Sequence, residues 1–261
     1  MWRVYLSLLV VIALGRAAHA QIVDVQSMIG QDVKDGPSGK LDTSVDWRTG
    51  NTRRLRVAGA VVARWRAGDH LVFGIARGEY GRSAGVAPAV QVTDASRDFE
   101  HLRYRWQATT RLAPEAFAQH EADRFRRLRS RALAGAGLRV RVTQSAQWSV
   151  HVGAAVMLEY EWLTRDDLPD AGTATTDARL STYAVALWKL NDDVGASETI
   201  YVQPRLDAPR DIRLLEEAAL TAKLAKQVAF RFALVIARDS RPPPGTAKMD
   251  TGLQSGLQVE F

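Results

Sequence analysis

Residues 147–163 alternate apolar and polar side chains for longer than an ordinary strand. Every second position from Trp148 to Trp162 is apolar, and Ser149, Glu159 and Glu161 lie among the intervening positions. A period of two is that of a β-strand with chemically different faces, and no helix produces it. Strands of soluble proteins usually end within about 10 residues. The segment therefore predicts an unusually long strand covered on one face.

The same alternation recurs along the chain, for example in residues 54–66 and 228–236. Counting such segments predicts an all-β chain, a twelve-stranded antiparallel transmembrane β-barrel with up-and-down meander topology. The even count is the one that single-chain bacterial barrels show. The predicted strands are 39–49, 53–66, 69–78, 98–109, 114–125, 128–142, 147–162, 177–189, 195–205, 211–223, 227–239 and 248–261.

Connection lengths support this prediction independently. The long connections, near 79–97, 163–176 and 240–247, all follow odd-numbered predicted strands, while those after even-numbered strands are tight. Outer-membrane barrels have short periplasmic turns and longer loops outside. Both termini are therefore expected in the periplasm.

Strand length also fits a membrane. Trp148 and Tyr160 lie on one face, 12 residues apart. At about 3.3 Å per residue and a tilt near 40°, they are separated by roughly 30 Å along the barrel axis, which matches a hydrocarbon core of about 30 Å. Aromatic residues near strand ends would then form interfacial belts.

The N-terminus reads as an export signal. Arg3 precedes a short apolar run, residues 4–14, and residues 18–20 form a small-x-small cleavage site. We predict a signal peptide over 1–20 cleaved near Gln21, a periplasmic N-terminal segment over 21–38 and the barrel over 39–261. GPSGK at 36–40 is expected to form a turn.

The C-terminus carries a second pattern that assembly machinery can read. Apolar side chains alternate up to a terminal aromatic residue, and the predicted signal consists of Leu253, Leu257, Val259 and Phe261. An open sheet edge in lipid would leave backbone groups without hydrogen bonds, so the last strand is expected to pair with the first. Expected partners are the barrel-assembly machinery, outer-membrane lipid and lipopolysaccharide.

Short motifs spread over residues 39–261 resemble those of one family. They are RTGNT at 48–52, FEHLRYR at 99–105, QHE at 119–121, QPR at 203–205, DIRL at 211–214, DSRPP at 239–243, Asp250 and Phe261. The chain resembles the salt-induced outer membrane proteins, a family without an assigned function. The resemblance implies an integral outer-membrane barrel, and the family name suggests a link to salt or osmotic response. It brings no substrate, active site or cofactor.

If the apolar faces meet lipid, the polar faces line the barrel lumen. The predicted lumen-lining residues are Arg54, Arg56, Arg64, His101, Arg103, Arg105, Arg129, Arg131, Arg139, Arg141, Glu159, Glu161 and Arg231. They permit a basic, anion-favouring pore or an interior filled by ion-paired side chains, as small barrels usually have. The sequence does not decide which side chains of residues 114–125 point into the barrel.

Other function classes are less supported. A wall-embedded lipid-modifying hydrolase would need Ser, His and an acid together, but the candidates lie in no recognisable motif, so no enzyme is expected. Those candidates are His70, His101, His120, His151, Ser130, Ser149 and Ser181. A soluble exported lipocalin-like binder would also alternate, with its apolar face inward.

Sequence signals for bound ligands are also few. Cys is absent, which excludes disulfides and thiolate sites, and no cofactor or metal motif is present. Asp166, Asp167 and Asp170 could bind a divalent cation or bridge to lipopolysaccharide, or could form a solvated acidic loop. The net charge of +6 is interleaved with acids, so no nucleic-acid partner is expected.

Overall fold

The computed structural model describes residues 35–49, 53–84 and 90–260. The predicted signal peptide, most of the predicted N-terminal segment and Phe261 lie outside the described residues. Within this part of the chain, no helix is long and apolar enough to cross a membrane.

Twelve antiparallel strands form one closed barrel in which sequence neighbours pair. This confirms the predicted fold class. The strands are β1 (Gly36–Arg48), β2 (Arg53–Ala67), β3 (His70–Ala84), β4 (Val92–Trp106), β5 (Leu112–Asp123), β6 (Leu128–Gln144), β7 (Trp148–Leu163), β8 (Ala174–Lys189), β9 (Val194–Pro204), β10 (Ile212–Lys223), β11 (Val228–Asp239) and β12 (Met249–Glu260).

The closing seam joins β1 and β12 through the register pairs Lys40 with Glu260 and Leu41 with Val259. This pairing removes the sheet edge that lipid could not satisfy. Leu253, Leu257 and Val259 on β12 are exposed on the outer wall. The three described residues of the predicted C-terminal signal therefore share one face.

Two predicted boundaries are wrong. β1 begins at Gly36, because Gly36, Pro37 and Ser38 continue the ladder with β2. GPSGK is therefore strand and not turn, and the N-terminal segment ends before residue 36. Pro37 is tolerated so close to the strand start. The connection predicted at 79–97 shrinks to 85–91, since β3 and β4 extend as a polar ladder that lacks the apolar alternation.

The four longest connections, 85–91, 164–173, 205–211 and 240–248, all follow odd-numbered strands and lie at one end of the barrel. We call this the loop end and the opposite one the turn end. The tightest connection, at the turn end, is residues 68–69, where Gly68 has a φ of +57°. Glycine adopts that left-handed conformation without steric cost.

The wall has an apolar outer face, shown by exposed side chains such as Leu158 (61%) and Leu253 (59%). The interior holds most of the buried charges, but it is not uniformly polar. One apolar cluster centres on Phe73 near β2, β3 and β4, and another centres on Val185 and Leu215 near β8 to β11. Both clusters fill interior space that the alternation assigned to polar side chains alone.

Candidate functional site

The first group of interior charges surrounds Glu115 on β5. Arg103 Nη1 donates to its Oε2 at 2.8 Å, and Arg105 Nε donates to its Oε1 at 2.6 Å. Tyr183 on β8 donates its hydroxyl to Oε2 at 2.7 Å. We call these four residues the Glu115 cluster. All four are buried, so each carboxylate oxygen is held by charge-assisted bonds inside the barrel.

The reach of Tyr183 depends on a glycine in β7, one of the two strands between β8 and β5. Gly153 on β7 is its register partner, and a Cβ built on Gly153 would lie 2.3 Å from the tyrosine ring. No side chain larger than hydrogen leaves room for the ring at this approach. The glycine therefore lets Tyr183 lie flat against the wall and extend toward β5.

The second group surrounds Glu159 on β7. Arg213 on β10 contacts both of its oxygens, and Arg179 on β8 lies 3.4 Å from Oε1. Arg131 on β6 lies 3.9 Å from Oε2 and pairs with Glu121 at 2.8 Å. We call Glu159, Arg131, Arg179 and Arg213 the Glu159 cluster. Three guanidinium groups from three strands thus converge on one carboxylate.

Further acids complete the charge balance of this group. Arg213 reaches Glu161 at 2.9 Å and Asp239 at 3.4 Å, while Arg179 reaches Asp211 at 3.2 Å. Arg131 is 1% exposed, and Arg179 and Glu159 are each 2% exposed. Water inside an open pore would contact such side chains. At this level of the barrel, the interior is therefore filled.

The interior along β2 is more accessible. Arg54 pairs with Asp46 at 3.6 Å, and Arg56 pairs with Glu79 at 2.6 Å. The Arg54 side chain is 19% exposed and the Arg56 side chain is 24% exposed. Arg64 on the same strand is also half-buried. We call Arg54, Arg56 and Arg64 the arginine track, a basic and water-accessible stripe beside the filled region.

One arginine joins three connections at the loop end. Arg127 donates to Asp166 at 2.5 and 2.7 Å, lies 2.7 Å from Asp170, and donates to the Pro244 carbonyl at 2.9 Å. The 240–248 connection belongs to β11 and β12, on the other side of the barrel from β6. The contacts therefore draw loops from opposite walls together over the mouth. The hydrogen bonds from Arg127 lower the pKa of the Asp166 carboxyl below its ordinary value.

The structure places most predicted lumen-lining residues on the inner face. Among the residues not described above, His101 and Arg139 are buried, and Arg231 pairs with Glu217. Arg141 lies on the inner side near the turn end, where it donates to Gln144 and to the Thr110 carbonyl. These positions follow the strand alternation.

Arg129 was predicted to line the lumen, and this prediction is wrong. It lies on the outer wall, exposed, with its guanidinium carbon 3.9 Å from the centre of the Trp162 ring. The register shifts between Leu128 and Ser130, which adds a bulge residue to β6. Because one extra residue reverses the facing of everything before it, Arg129 points away from the lumen although Arg131 points into it.

The candidate serines and histidines separate into two groups. Buried Ser149 and Ser181, and His101 beside Phe73, Phe99 and Phe117, lie inside the barrel. His70 is outside, bonded to Tyr104 at 2.7 Å. His120 and Ser130 lie together on the outer wall, with Nε2 and Oγ 3.1 Å apart. His151 is half-buried on the inner face of β7.

Sequence reasoning missed Glu115 and Arg179, which hold central positions. Glu115 belongs to the segment whose facing the sequence left open. The structure turns Glu115, Glu121 and Asp123 inward and buries them. Alternating acids on β5 are the signal that could have found them, since buried arginines on β4 and β6 require neighbouring carboxylates.

A family model described as a protein of unknown function, DUF481, matches residues 41–261. The chain belongs to the DUF481 family. No curated protein matches its sequence. The match covers β2 to β12 entirely, so the DUF481 region and the barrel nearly coincide.

Solved structures show the same fold at low sequence identity. The translocator domain of the autotransporter NalP from Neisseria meningitidis is 12% identical, with 91% of each chain covered and a TM-score of 0.51. The NanC porin is 7% identical, with 86% of this chain and 97% of that chain covered and a TM-score of 0.45. These likenesses are of fold alone. This DUF481 barrel thus shares its architecture with the NalP translocator domain.

Proposed function

We propose that the protein is an integral outer-membrane barrel whose filled interior serves the structure of the envelope and not general diffusion. The apolar outer wall and the resemblance of the fold to outer-membrane barrels support the location. The Glu159 cluster carries the proposal, because Arg213 on β10 reaches Glu159 on β7 through the barrel interior. Such contacts between non-adjacent strands brace the cylinder and occupy its cross-section.

Single-channel recording in planar bilayers tests this proposal. We expect the refolded protein to insert and to show a closed trace. The double variant Glu159→Ala, Arg213→Ala should show transient openings, since it removes the side chains that occupy the interior. A stable porin-sized conductance in the wild-type protein would refute the proposal. Heat-modifiable mobility on gels confirms that each sample is a folded barrel.

A second candidate role is restricted passage of small anions along the arginine track. The accessibility of Arg54 and Arg56 favours it, because an interior closed throughout would bury them as deeply as Arg131. Rings or stripes of Arg attract anions and repel cations. A reversal potential that favours chloride, and that moves toward zero in Arg56→Gln, would support this role. Arg238→Gln is the control, since Arg238 is exposed on β11.

Export and assembly are part of the same proposal. The signal peptide directs the chain out of the cytoplasm, and the pattern ending at Phe261 is read by the barrel-assembly machinery. Fractionation should recover the mature protein, beginning near Gln21, with outer membranes and lipopolysaccharide. Recovery in the soluble periplasmic fraction would exclude this location. A link to salt or osmotic stress would appear as a growth defect of a deletion strain at high salt.

A further inference from the structure

Three side chains on the outer wall form a hydrogen-bonded relay. His120 on β5 lies with Nδ1 2.9 Å from Glu100 Oε2 on β4 and with Nε2 3.1 Å from Ser130 Oγ on β6. Asp98 Oδ2 lies 3.7 Å from the same Nδ1. The three strands are consecutive in the sheet, so the rigid wall sets the geometry.

The acid fixes the direction of this relay. An ionised carboxylate only accepts hydrogen bonds, so the His120 Nδ1 that faces Glu100 and Asp98 must carry the proton. In the neutral imidazole, the other ring nitrogen, Nε2, then has a lone pair directed at Ser130 Oγ. Ser130 donates its hydroxyl hydrogen to Nε2. An acid that orients a histidine, and a histidine that accepts the serine proton, are the parts of an activated nucleophile.

Ordinary alternation with Arg131 places Ser130 on the outer wall, and a bulge places Arg129 beside it. Arg131 is buried in the interior, and Ser130 precedes it. Leu128 pairs with Asp123 and Arg131 with Glu121, so two β6 residues, Arg129 and Ser130, lie opposite one residue of β5. Both can therefore face outward. Bulges occur often beside active sites, where they redirect a side chain.

The relay lies where a membrane lipid can reach it. Ser130 pairs in register with Trp162 on β7, and His120 is linked in register through Ala132 to Tyr160. These two aromatic residues mark the loop-end belt, at the boundary between headgroups and acyl chains. Ionisable residues on a lipid-facing wall carry a free-energy cost and are functional candidates by default.

An apolar groove adjoins the relay on the same wall. Its volume is about 450 Å³, and its outward lining includes Val61, Ala63, Ala76, Leu102 and Ala118, with Glu100 and His120 among the lining residues. Small side chains recess the wall between larger neighbours. The groove is lined mostly by apolar side chains, which suits contact with an acyl chain, and His120 and Glu100 of the relay lie among its lining residues.

We propose that Ser130, His120 and Glu100 form the catalytic triad of a serine esterase that hydrolyses acyl esters of membrane lipids. Ser130 Oγ attacks the ester carbonyl carbon while its proton passes to His120 Nε2. His120 then donates that proton to the departing alcohol oxygen, leaving an acyl group on Ser130. Water, deprotonated by His120, attacks the acyl carbon and releases the fatty acid and free Ser130. The net reaction converts ester and water into carboxylic acid and alcohol.

Arg129 indicates the class of lipid. Its guanidinium stacks on Trp162 beside Ser130 and is exposed on the outer wall. A fixed cation at headgroup depth suits the phosphate of a lipid. Both glycerophospholipids and the acylated anchor of lipopolysaccharide offer an acyl ester near a phosphate. Mixed micelles that contain one or the other, assayed for released fatty acid, distinguish the two sources.

Covalent labelling of the refolded full chain in detergent tests the triad without requiring knowledge of the natural lipid. We expect a fluorophosphonate probe to modify Ser130, as located by peptide mass spectrometry, and p-nitrophenyl butyrate to be hydrolysed. Ser130→Ala should abolish both signals. His120→Ala should lower the rate by about 100-fold or more. Ser255→Ala, an identical change at an exposed outer-wall position on β12, should leave both unchanged.

Several outcomes would overturn the proposal. Heat-modifiable wild-type barrel that neither labels nor hydrolyses ester above the Ser130→Ala level would do so, as would full activity in Ser130→Ala. The ligand atoms of Asp98, Glu100 and His120 lie within 4.8 Å of one another, so a Mn²⁺ titration is included. Saturable Mn²⁺ binding by a protein without esterase activity would replace the triad with a cation site. The assay uses a soluble ester, so its result does not depend on the proposed location in the outer membrane.

Discussion

Tyr183 on β8 donates a hydrogen bond of 2.7 Å to Glu115 on β5, and its ring passes over Gly153 on β7, one of the two strands between them. A contact between strands that are not neighbours cannot be part of the sheet ladder. It stabilises the cross-section of the barrel instead. The glycine has a definite steric role, because its missing Cβ is the space that the ring occupies.

Gly153→Ala is therefore expected to destabilise the barrel by roughly 1–3 kcal/mol, the usual cost of overpacking a filled interior. The added methyl group would lie 2.3 Å from the Tyr183 ring and would displace it from Glu115. Urea unfolding in micelles, followed by heat-modifiable mobility, measures the change. Gly78→Ala on β3 is the matched control, since a Cβ there has nothing within 4 Å. Equal stability of both variants would contradict the packing argument.

A substitution in the Glu159 cluster is expected to destabilise the barrel more than Gly153→Ala does. Glu159→Gln would leave the guanidinium groups of Arg131, Arg179 and Arg213 without their shared carboxylate, in a site where these residues are at most 5% exposed. Removing one partner of a buried ion pair typically costs about 3–5 kcal/mol. The same unfolding assay should show that loss. Asp192→Asn, which removes an exposed ion pair with Lys189, should leave stability nearly unchanged, since exposed ion pairs contribute little.

Local periodicity predicted the barrel and the facing of most strands. The outward position of Leu158 and the inward position of Glu159 follow directly from alternation and the need to cover apolar side chains. The prediction that Arg129 faces inward was wrong, because a bulge adds a residue to β6 without altering the local sequence pattern. The pairing of Arg213 with Glu159 could not be predicted, since it depends on barrel curvature and tilt.

The relay on the outer wall shows the same limit. His120 and Ser130 were both recognised as candidates, but no sequence motif linked them. They meet because the β5–β6 register and the alternation within each strand place them side by side on one face. Their acid partner, Glu100, lies 20 residues from His120 in the chain and directly opposite it in the β4–β5 register. Only the pairing of these strands joins the three groups.

The lipid-facing wall can be tested by charge insertion. Val156 lies near the middle of β7 and is 54% exposed. Val156→Arg should destabilise the protein in lipid vesicles by about 2–4 kcal/mol, the cost of an arginine at the bilayer midplane on a barrel surface. Gln227→Arg, in an exposed turn, should have little effect. Equal tolerance of both substitutions in vesicles would mean that this face of β7 does not contact hydrocarbon.

Acid should release the loop contacts of Arg127. The pKa of Asp166 is lowered in the folded protein by the hydrogen bonds from Arg127. A lowered folded-state pKa contributes stability that is complete above the pKa of the unfolded chain and is lost as pH falls through the folded-state pKa. The backbone amides of the 164–173 loop should therefore be protected from hydrogen exchange at neutral pH. The loop should open once the pH falls below about 4, the ordinary pKa of an aspartate carboxyl.

Hydrogen exchange of peptides covering residues 164–173, corrected for the pH dependence of intrinsic exchange, measures this opening. Asp166→Asn should exchange at pH 7 as the wild-type loop does in acid, because the amide gives Arg127 no negative charge. Asp167→Asn, a neighbouring exposed carboxylate, should behave like the wild-type protein. Unchanged protection in Asp166→Asn, or in wild-type protein well below pH 3, would show that the 164–173 loop is held by contacts other than those of Arg127.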